Sequence, residues 1–247
     1  MQITVLNFDV IDSTNLEAIR EAKAGAHEGL CVVAGKQTAG RGRLGRTWVS
    51  EEGAGLYFSI VLRPRLDARN LTLVTLMSAV AVAEALDSFG ISADIKWVND
   101  IHVSGKKICG ILSESTDTPV GLAVIVGIGI NLRSDNFPPE IANLATSVEA
   151  ETGSVPDPSS LTGELITHLT GWYQILCRDG GPERVRREWT RRSSYATGKL
   201  ITVKTEVGSF QGITRGIEEN GALRVELESG EIRIVQAGEV TAVRARE

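Results

Sequence analysis

Three cysteines (Cys31, Cys109, Cys177) and three histidines (His27, His102, His168) are scattered along 247 residues. Odd in number and far apart, the cysteines outline no disulfide framework, and with the histidines they give no metal-ligand spacing. A reducing, cytoplasmic compartment is the expectation. The start, Met1-Gln2-Ile3-Thr4-Val5, lacks a basic segment followed by an apolar stretch, so no secretory signal is read there. No unbroken apolar run reaches the roughly 18–20 residues that span a bilayer, and no membrane partner is expected. Positive charge is not in excess either: 26 Lys and Arg against 31 Asp and Glu leave a net charge of −5, which offers nucleic acid no general attraction. Neither a Gly-x-Ser-x-Gly elbow nor a Cys/His nucleophile signature occurs, so a covalent enzyme intermediate has no carrier. With 42% hydrophobic and 23% charged residues, the composition is that of a chain with a real core, in one large domain or a large and a small one.

The patterning reads as α+β. Residues 3–8, 30–35 and 56–62 read as strands. Asp12-Ser13-Thr14-Asn15 precedes a helix over 14–24, with Thr14 and Glu17 at capping-box spacing. Asn70 is placed to cap a long helix carrying Leu73, Leu76, Val80, Ala83 and Leu86, which stops at Gly90. Strands follow around 95–98, 108–115 and 120–132, the last two joined by the turn Thr116-Asp117-Thr118-Pro119. A helix over 159–178 puts Leu161, Leu165, Leu169, Trp172 and Leu176 on one face. Gly180-Gly181-Pro182 then opens a short basic helix. From Tyr195 onward, alternating Ile201/Val203, Leu223/Val225/Leu227 and Ile232/Ile234, with turns at Asn220-Gly221 and Ser229-Gly230, predict a small all-β module of about five strands.

The densest chemical signal is Gly40-Arg41-Gly42-Arg43-Leu44-Gly45-Arg46-Thr47-Trp48. It satisfies G-x-G-x-x-G, but no helix is predicted after it to receive a pyrophosphate, and no Gly-Lys-Ser/Thr follows. Instead, glycines let the backbone approach a ligand while Arg41, Arg43 and Arg46, with no acid nearby in sequence, can fork onto phosphate or carboxylate oxygens. Lys36 adds a fourth cation to this local anion trap.

Lys96-Trp97-Val98-Asn99-Asp100 puts a cation, an aromatic and an Asn-Asp pair at a strand end. Asp100 there can take Mg²⁺ on a nucleotide, although alone the segment reads better as a strand entering an Asn-Asp turn. Lys107, in Lys106-Lys107-Ile108-Cys109-Gly110-Ile111-Leu112, can stabilise charge at the mouth of a buried strand or be a plain turn lysine. Gly127 and Gly129, in Val126-Gly127-Ile128-Gly129-Ile130-Asn131, either admit a ligand against the backbone or serve strand packing. His168 reads as a core-edge residue, and His27 and His102 as turn residues.

Taken together, Asp12 to Asn15, Gln37 to Trp48, Lys96 to Asp100, Lys107 to Leu112 and Gly127 to Asn131 resemble, in order and spacing, the biotin protein ligase family. So does the tail, Gly212-Ile213-Thr214-Arg215-Gly216-Ile217 before Gly221-Ala222-Leu223. The resemblance spans nearly the whole chain, its arginine-glycine segment being the most specific part. It implies an α+β fold of the class II synthetase and biotin ligase kind: a seven-stranded mixed sheet with helices over 1–193 and an SH3-like barrel over 194–247. It implies biotin and ATP as substrates, with Mg²⁺, and a biotin carboxyl carrier domain as protein partner. Ser13, Thr14, Asn15, Gln37, Arg41, Gly42, Arg43 and Lys107 resemble the biotin contacts. Arg46, Trp48, Asn99, Asp100 and Asn131 resemble the ATP and adenylate side, Asp100 also as a candidate Mg²⁺ ligand. Arg43, Lys107 and Arg41 resemble the catalytic cations.

Two departures stand out. Val98 replaces the family's proline, which is expected to loosen that turn but keep its polar groups. The motifs begin at residue 12, leaving no room ahead of them for a helix-turn-helix, so a repressor role is not expected. A homodimer through the sheet rests on family analogy alone. Lipoate ligases share the chemistry on a related fold, but Gly-Arg-Gly-Arg followed by Gly-Arg favours biotin.

Overall fold

Short apolar stretches build seven strands: β1 (Thr4–Ile11), β2 (Leu30–Gln37), β3 (Gly55–Leu62), β4 (Asp94–Lys96), β5 (Asp100–Val103), β6 (Lys106–Thr118) and β7 (Gly121–Asn131). The computed structural model describes residues 1–135, 137–205 and 208–242. The strands form one sheet in the order β1-β2-β3-β7-β6-β5-β4, parallel only between β1 and β2. That parallel pair needs a crossover, and α1 (Thr14–Lys23) supplies it. The expected β6–β7 hairpin forms, with Thr118 paired to Gly121.

Because side chains alternate across a strand, the sheet buries two faces. Leu56, Phe58, Ile60 and Leu62 of β3 join the large core with α2 (Thr72–Asp87), α4 (Pro158–Leu176) and α5 (Gly181–Arg192). Val61 and Ile125 face the other way and pack with Ala18 and Ala22 of α1. Residues Ala68–Asp87 are long and apolar enough on average to cross a bilayer, although polar residues interrupt the run, and α2 is the core helix, burying 13 of its side chains.

After α5, β8 (Thr197–Thr205), β9 (Gly208–Ile217), β10 (Leu223–Glu226), β11 (Ile232–Val235) and β12 (Glu239–Ala242) form an antiparallel sheet in the order β11-β10-β9-β8-β12. This is the strand count expected of the SH3-like unit, although β11 and β12 do not pair to close a ring among the described residues. Its turns fall where expected, at Gly221 (φ 85°) and Gly230 (φ 83°), a conformation glycine adopts without a Cβ clash. Ile201, Val203, Leu223 and Val225 run into the large core. The Trp97 indole donates to the Gly221 carbonyl (3.0 Å), tying the two sheets together.

Local expectations fail where tertiary partners compete. Thr14 and Glu17 make no capping box: Ser13 is the N-cap, Gln37 takes the Thr14 amide, and Glu17 binds Arg20. Asn70 lies in a 3₁₀ turn that leads into α2, and Asp67 caps that turn. On α4, Tyr173 completes the buried stripe while half-buried Trp172 donates to Glu84 (2.7 Å). Strand β5 and the short helix α3 (Val148–Thr152) were not read from sequence.

Exposed Gly163 and Gly171 sit mid-α4 with open space where a Cβ would go. Gly163→Ala and Gly171→Ala are each expected to raise unfolding stability by about 1 kcal/mol in urea titrations. A loss of stability would show that α4 needs flexibility there.

Candidate functional site

The first turn of α1 is buried against the sheet, Ser13, Thr14 and Asn15 each being at most 4% exposed. Buried polar groups need partners, and here they form a network. Gln37 Oε1 accepts from the Thr14 amide (2.8 Å) and hydroxyl (3.2 Å), while Gln37 Nε2 donates to Ser50 (2.8 Å). The Ser59 hydroxyl on β3 lies 2.8 Å from Thr14 Oγ1 and 2.7 Å from Asn15 Oδ1. Asn15 Nδ2 donates to the Leu112 carbonyl (3.2 Å) and to Glu114 (2.9 Å). Ser59 and Glu114 were both missed from sequence. A lone serine inside the apolar run 56–62 was the available signal for the first.

This network forms one wall of a partly open pocket. Ser13, Thr14, Asn15, Gln37, Arg41, Gly42, Arg43, Trp48, Asn99 and Lys107 all line it; Arg46, Asp100 and Asn131 do not. Gly127 and Gly129 line it too, and what approaches their backbone is protein. A Cβ on Gly127 would stand 2.0 Å from Asn15 Oδ1, and one on Gly129 2.5 Å from the Trp48 indole.

The arginine-glycine segment is a closed loop with no helix after it, as expected. Arg41 bridges Thr47, the Gly42 amide donates to the Arg46 carbonyl (2.7 Å), and a 3₁₀ turn spans Arg43–Gly45. Its three arginines differ in a way the sequence does not reveal. Arg41 pairs with Glu114 (2.9 Å), and Arg46 pairs with Glu239 of β12. Arg43 meets only the neutral Asn99 Oδ1 (3.0 Å), and among the described residues no carboxylate pairs with it. Burial pushes the Arg43 pKa below its ordinary value, with Asp100 acting in the opposite sense. Lys36, read as a fourth cation, is spent on Glu51 (2.7 Å).

Strands β4, β5 and β6 carry a second charged group. Lys107 Nζ sits 2.6 Å from Asp100 Oδ1 and 5.3 Å from the Trp48 ring centre. Lys107 is fixed through its backbone: its amide donates to Leu144, and its carbonyl accepts from Thr146 and from Asn131 Nδ2 (3.3 Å). Asn131 therefore braces the strand that holds Lys107. Asn99 Nδ2 donates to Ile111 (2.9 Å), so the polar groups on either side of buried Val98 keep their places. Burial works to raise Asp100, but the charge and hydrogen bond of Lys107, with Lys96 and His102 behind, hold it below the usual carboxylate range.

The surroundings of Asp100 disfavour a metal ion on its carboxylate. Both its oxygens face lysine ammonium groups, and among the described residues no three His, Cys, Asp or Glu side chains converge on a cation position.

His102 lies in β5 rather than a turn, 8% exposed, with both ring nitrogens unpartnered among the described residues. Burial first, then Lys96, pushes its pKa down to about 4, with Asp100 opposing. A depressed folded pKa means that this stability term is complete above the unfolded value of 6.5 and is lost as pH falls toward about 4. The loss is about 3 kcal/mol. Denaturation midpoints between pH 7 and 4 should fall more steeply for the native chain than for His102→Phe; equal slopes would refute the assignment. His168, by contrast, is the core-edge residue expected, 3.0 Å from Glu84.

Residues 7–131 match the biotin/lipoate A/B protein ligase family, and residues 197–241 match the biotin protein ligase C terminal domain. The bifunctional ligase/repressor BirA of Bacillus spizizenii is 39% identical, over 93% of this chain and 71% of its own length. The biotin–[acetyl-CoA-carboxylase] ligase of Paracoccus denitrificans is 36% identical over 93% and 96%. The biotin protein ligase of Aquifex aeolicus, solved in complex with biotin and ATP, superposes with a TM-score of 0.84 at 30% identity, covering 98% of this chain and 99% of that one. The chain belongs to the biotin/lipoate A/B protein ligase family and, within it, to the biotin protein ligases.

Proposed function

We propose that this pocket activates biotin with ATP and passes it to a lysine of a biotin carboxyl carrier domain. The observation that carries the assignment of roles is Arg43, a half-buried guanidinium in the pocket wall with no carboxylate partner among the described residues. An uncompensated cation there favours an anionic ligand. Ser13, Thr14, Asn15 and Gln37 offer buried hydrogen-bonding groups to the polar head of biotin. Arg41, Gly42, Arg43 and Lys107 then face its carboxylate. ATP lies toward Trp48 and Asn99, and Trp48 Nε1 is a buried donor still without an acceptor among the described residues.

The chemistry needs two anions brought together. A biotin carboxylate oxygen attacks the α-phosphorus, forming a P–O bond as the bond to pyrophosphate breaks. The carrier lysine amine then attacks the acyl carbon of the mixed anhydride, an amide forms, AMP departs, and the amine loses a proton. Arg43 and Lys107 offset the charge gathered in the first step, and their fixed placement lowers the cost of aligning the reactants. No enzyme nucleophile takes part. Magnesium enters as the ion carried on ATP's phosphates. Arg46 and Asn131 act on the ATP side through the loop and the Lys107 strand, which they hold in place.

A cytoplasmic location and a homodimer belong to the same proposal. Three free cysteines suit a reducing compartment, and edge strand β1 offers unpaired backbone. Neither nucleic acid nor membrane is proposed as a partner, in keeping with the net charge of −5 and the burial of α2.

The test mixes the protein with labelled biotin, Mg-ATP and a biotin carboxyl carrier domain, with a lipoyl domain in parallel. Label fixed to the carrier domain and lost when its acceptor lysine is changed is the expected result. Neither transfer nor biotin-dependent pyrophosphate release would overturn the proposal.

A further inference from the structure

Lys96 is a lysine the pocket does not use. It stands opposite Asp100 in the β4–β5 register, its side chain 15% exposed, and makes no hydrogen bond among the described residues. Burying an ammonium without a hydrogen-bonded partner is costly, so its retention calls for a reason. Its nearest anion is Asp100 Oδ2, at 3.9 Å, while Lys107 holds the other oxygen at 2.6 Å. One carboxylate thus faces two lysines, bonded closely to one and loosely to the other. Lys107 lines the pocket and is the more exposed, at 32%; Asp100 lies behind it, at 20%.

A Lys107 ammonium that moves into the pocket toward a substrate anion lengthens its 2.6 Å bond to Asp100 or gives it up. When the ammonium turns toward the pocket, a half-buried carboxylate is left without its partner, which is strongly unfavourable. His102, 4.0 Å from Asp100 Oδ2, stays neutral in its buried setting and cannot replace the charge, and Arg43 is engaged with Asn99. Lys96 needs to close by only about 1 Å to reach hydrogen-bonding distance. We propose that Lys96 is a positioning residue that takes over Asp100 as Lys107 leaves it for the reacting oxygens. This rests on the reading that Lys107 meets the biotin carboxylate and the α-phosphate. It also gives Asp100 a role other than metal ligation: a counterion passed between two lysines.

The experiment measures biotin-dependent pyrophosphate release by the full chain as wild type, Lys96→Met, Asp100→Asn and the double variant. Lys96→Met is expected to lower kcat at least about tenfold with the KM for biotin within about twofold. In the Asp100→Asn background the same change should cost less than about twofold, because no carboxylate remains to strand. Lys96→Arg, which keeps the charge, should recover most of the rate. A Lys96→Met enzyme with wild-type kcat would overturn the proposal. So would an equal loss in both backgrounds, which would mean that Lys96 meets the substrate itself. Biotin affinity, set at the α1 end of the pocket, reports on folding, and Lys96→Gln repeats the comparison if Lys96→Met loses it. A wild-type protein without turnover would sink the ligase reading and this one with it; wild-type turnover with either overturning result would sink this one alone.

Discussion

Lys107→Met should slow biotin-dependent pyrophosphate release by about 10²–10³-fold while biotin binds nearly as before. The ammonium is the lysine cation of the pocket, held over Trp48 and against Asp100 on a strand whose backbone is bonded on both sides. A fixed charge at the site of developing negative charge contributes mainly in the transition state, so the loss should fall on kcat. Arginine should be a poor replacement. A Cβ on Gly110 would stand 3.1 Å from Lys107 Cε and Nζ, and that close approach leaves little room for a planar guanidinium fork. Steady-state release assays on Lys107→Met and Lys107→Arg decide the point. A Lys107→Met protein with near wild-type kcat would move the catalytic burden to Arg43 alone.

Much of this site is legible in the sequence, because its residues come in short motifs that local spacing reveals. Ser13, Thr14, Asn15, Gln37, Arg43 and Lys107 were all named and all line one pocket. What spacing cannot carry is charge compensation. The acids that occupy Arg41 and Arg46 lie 73 and 193 positions further along, brought in by the β6 register and by β12. A cluster read as three free arginines therefore holds one uncompensated guanidinium among the described residues. Motif membership likewise did not separate pocket wall from support: Asn131 braces the Lys107 strand and Asp100 serves the lysines. The fold behaved the same way. Long periodic elements were readable, while β5, four residues hemmed by turn-forming neighbours, carried too little pattern to see.

Gly127→Ala should weaken biotin binding by about a hundredfold, or about 2.7 kcal/mol. Unfolding stability should fall by about 1–3 kcal/mol at the same time. Gly127 is mid-strand in β7, paired with Ser59 on one side and Leu112 on the other, so its backbone has no room to retreat. The added methyl would lie 2.0 Å from Asn15 Oδ1 and 2.8 Å from its Cγ, well inside contact distance. A long side chain could swing clear, but Asn15 is short and held from three directions, by Ser59, by the Leu112 carbonyl and by Glu114. Moving the amide strands buried partners on each of them. Thr14, which shares the Ser59 hydroxyl, loses its alignment with Gln37 in the same displacement. Calorimetric biotin titration beside urea denaturation separates the two effects, and Gly163→Ala, in open space on α4, is the control that should gain stability. Should Gly127→Ala bind biotin as tightly as the native chain, the Asn15 network would be packing and not pocket wall, and biotin's polar head would have to be held elsewhere.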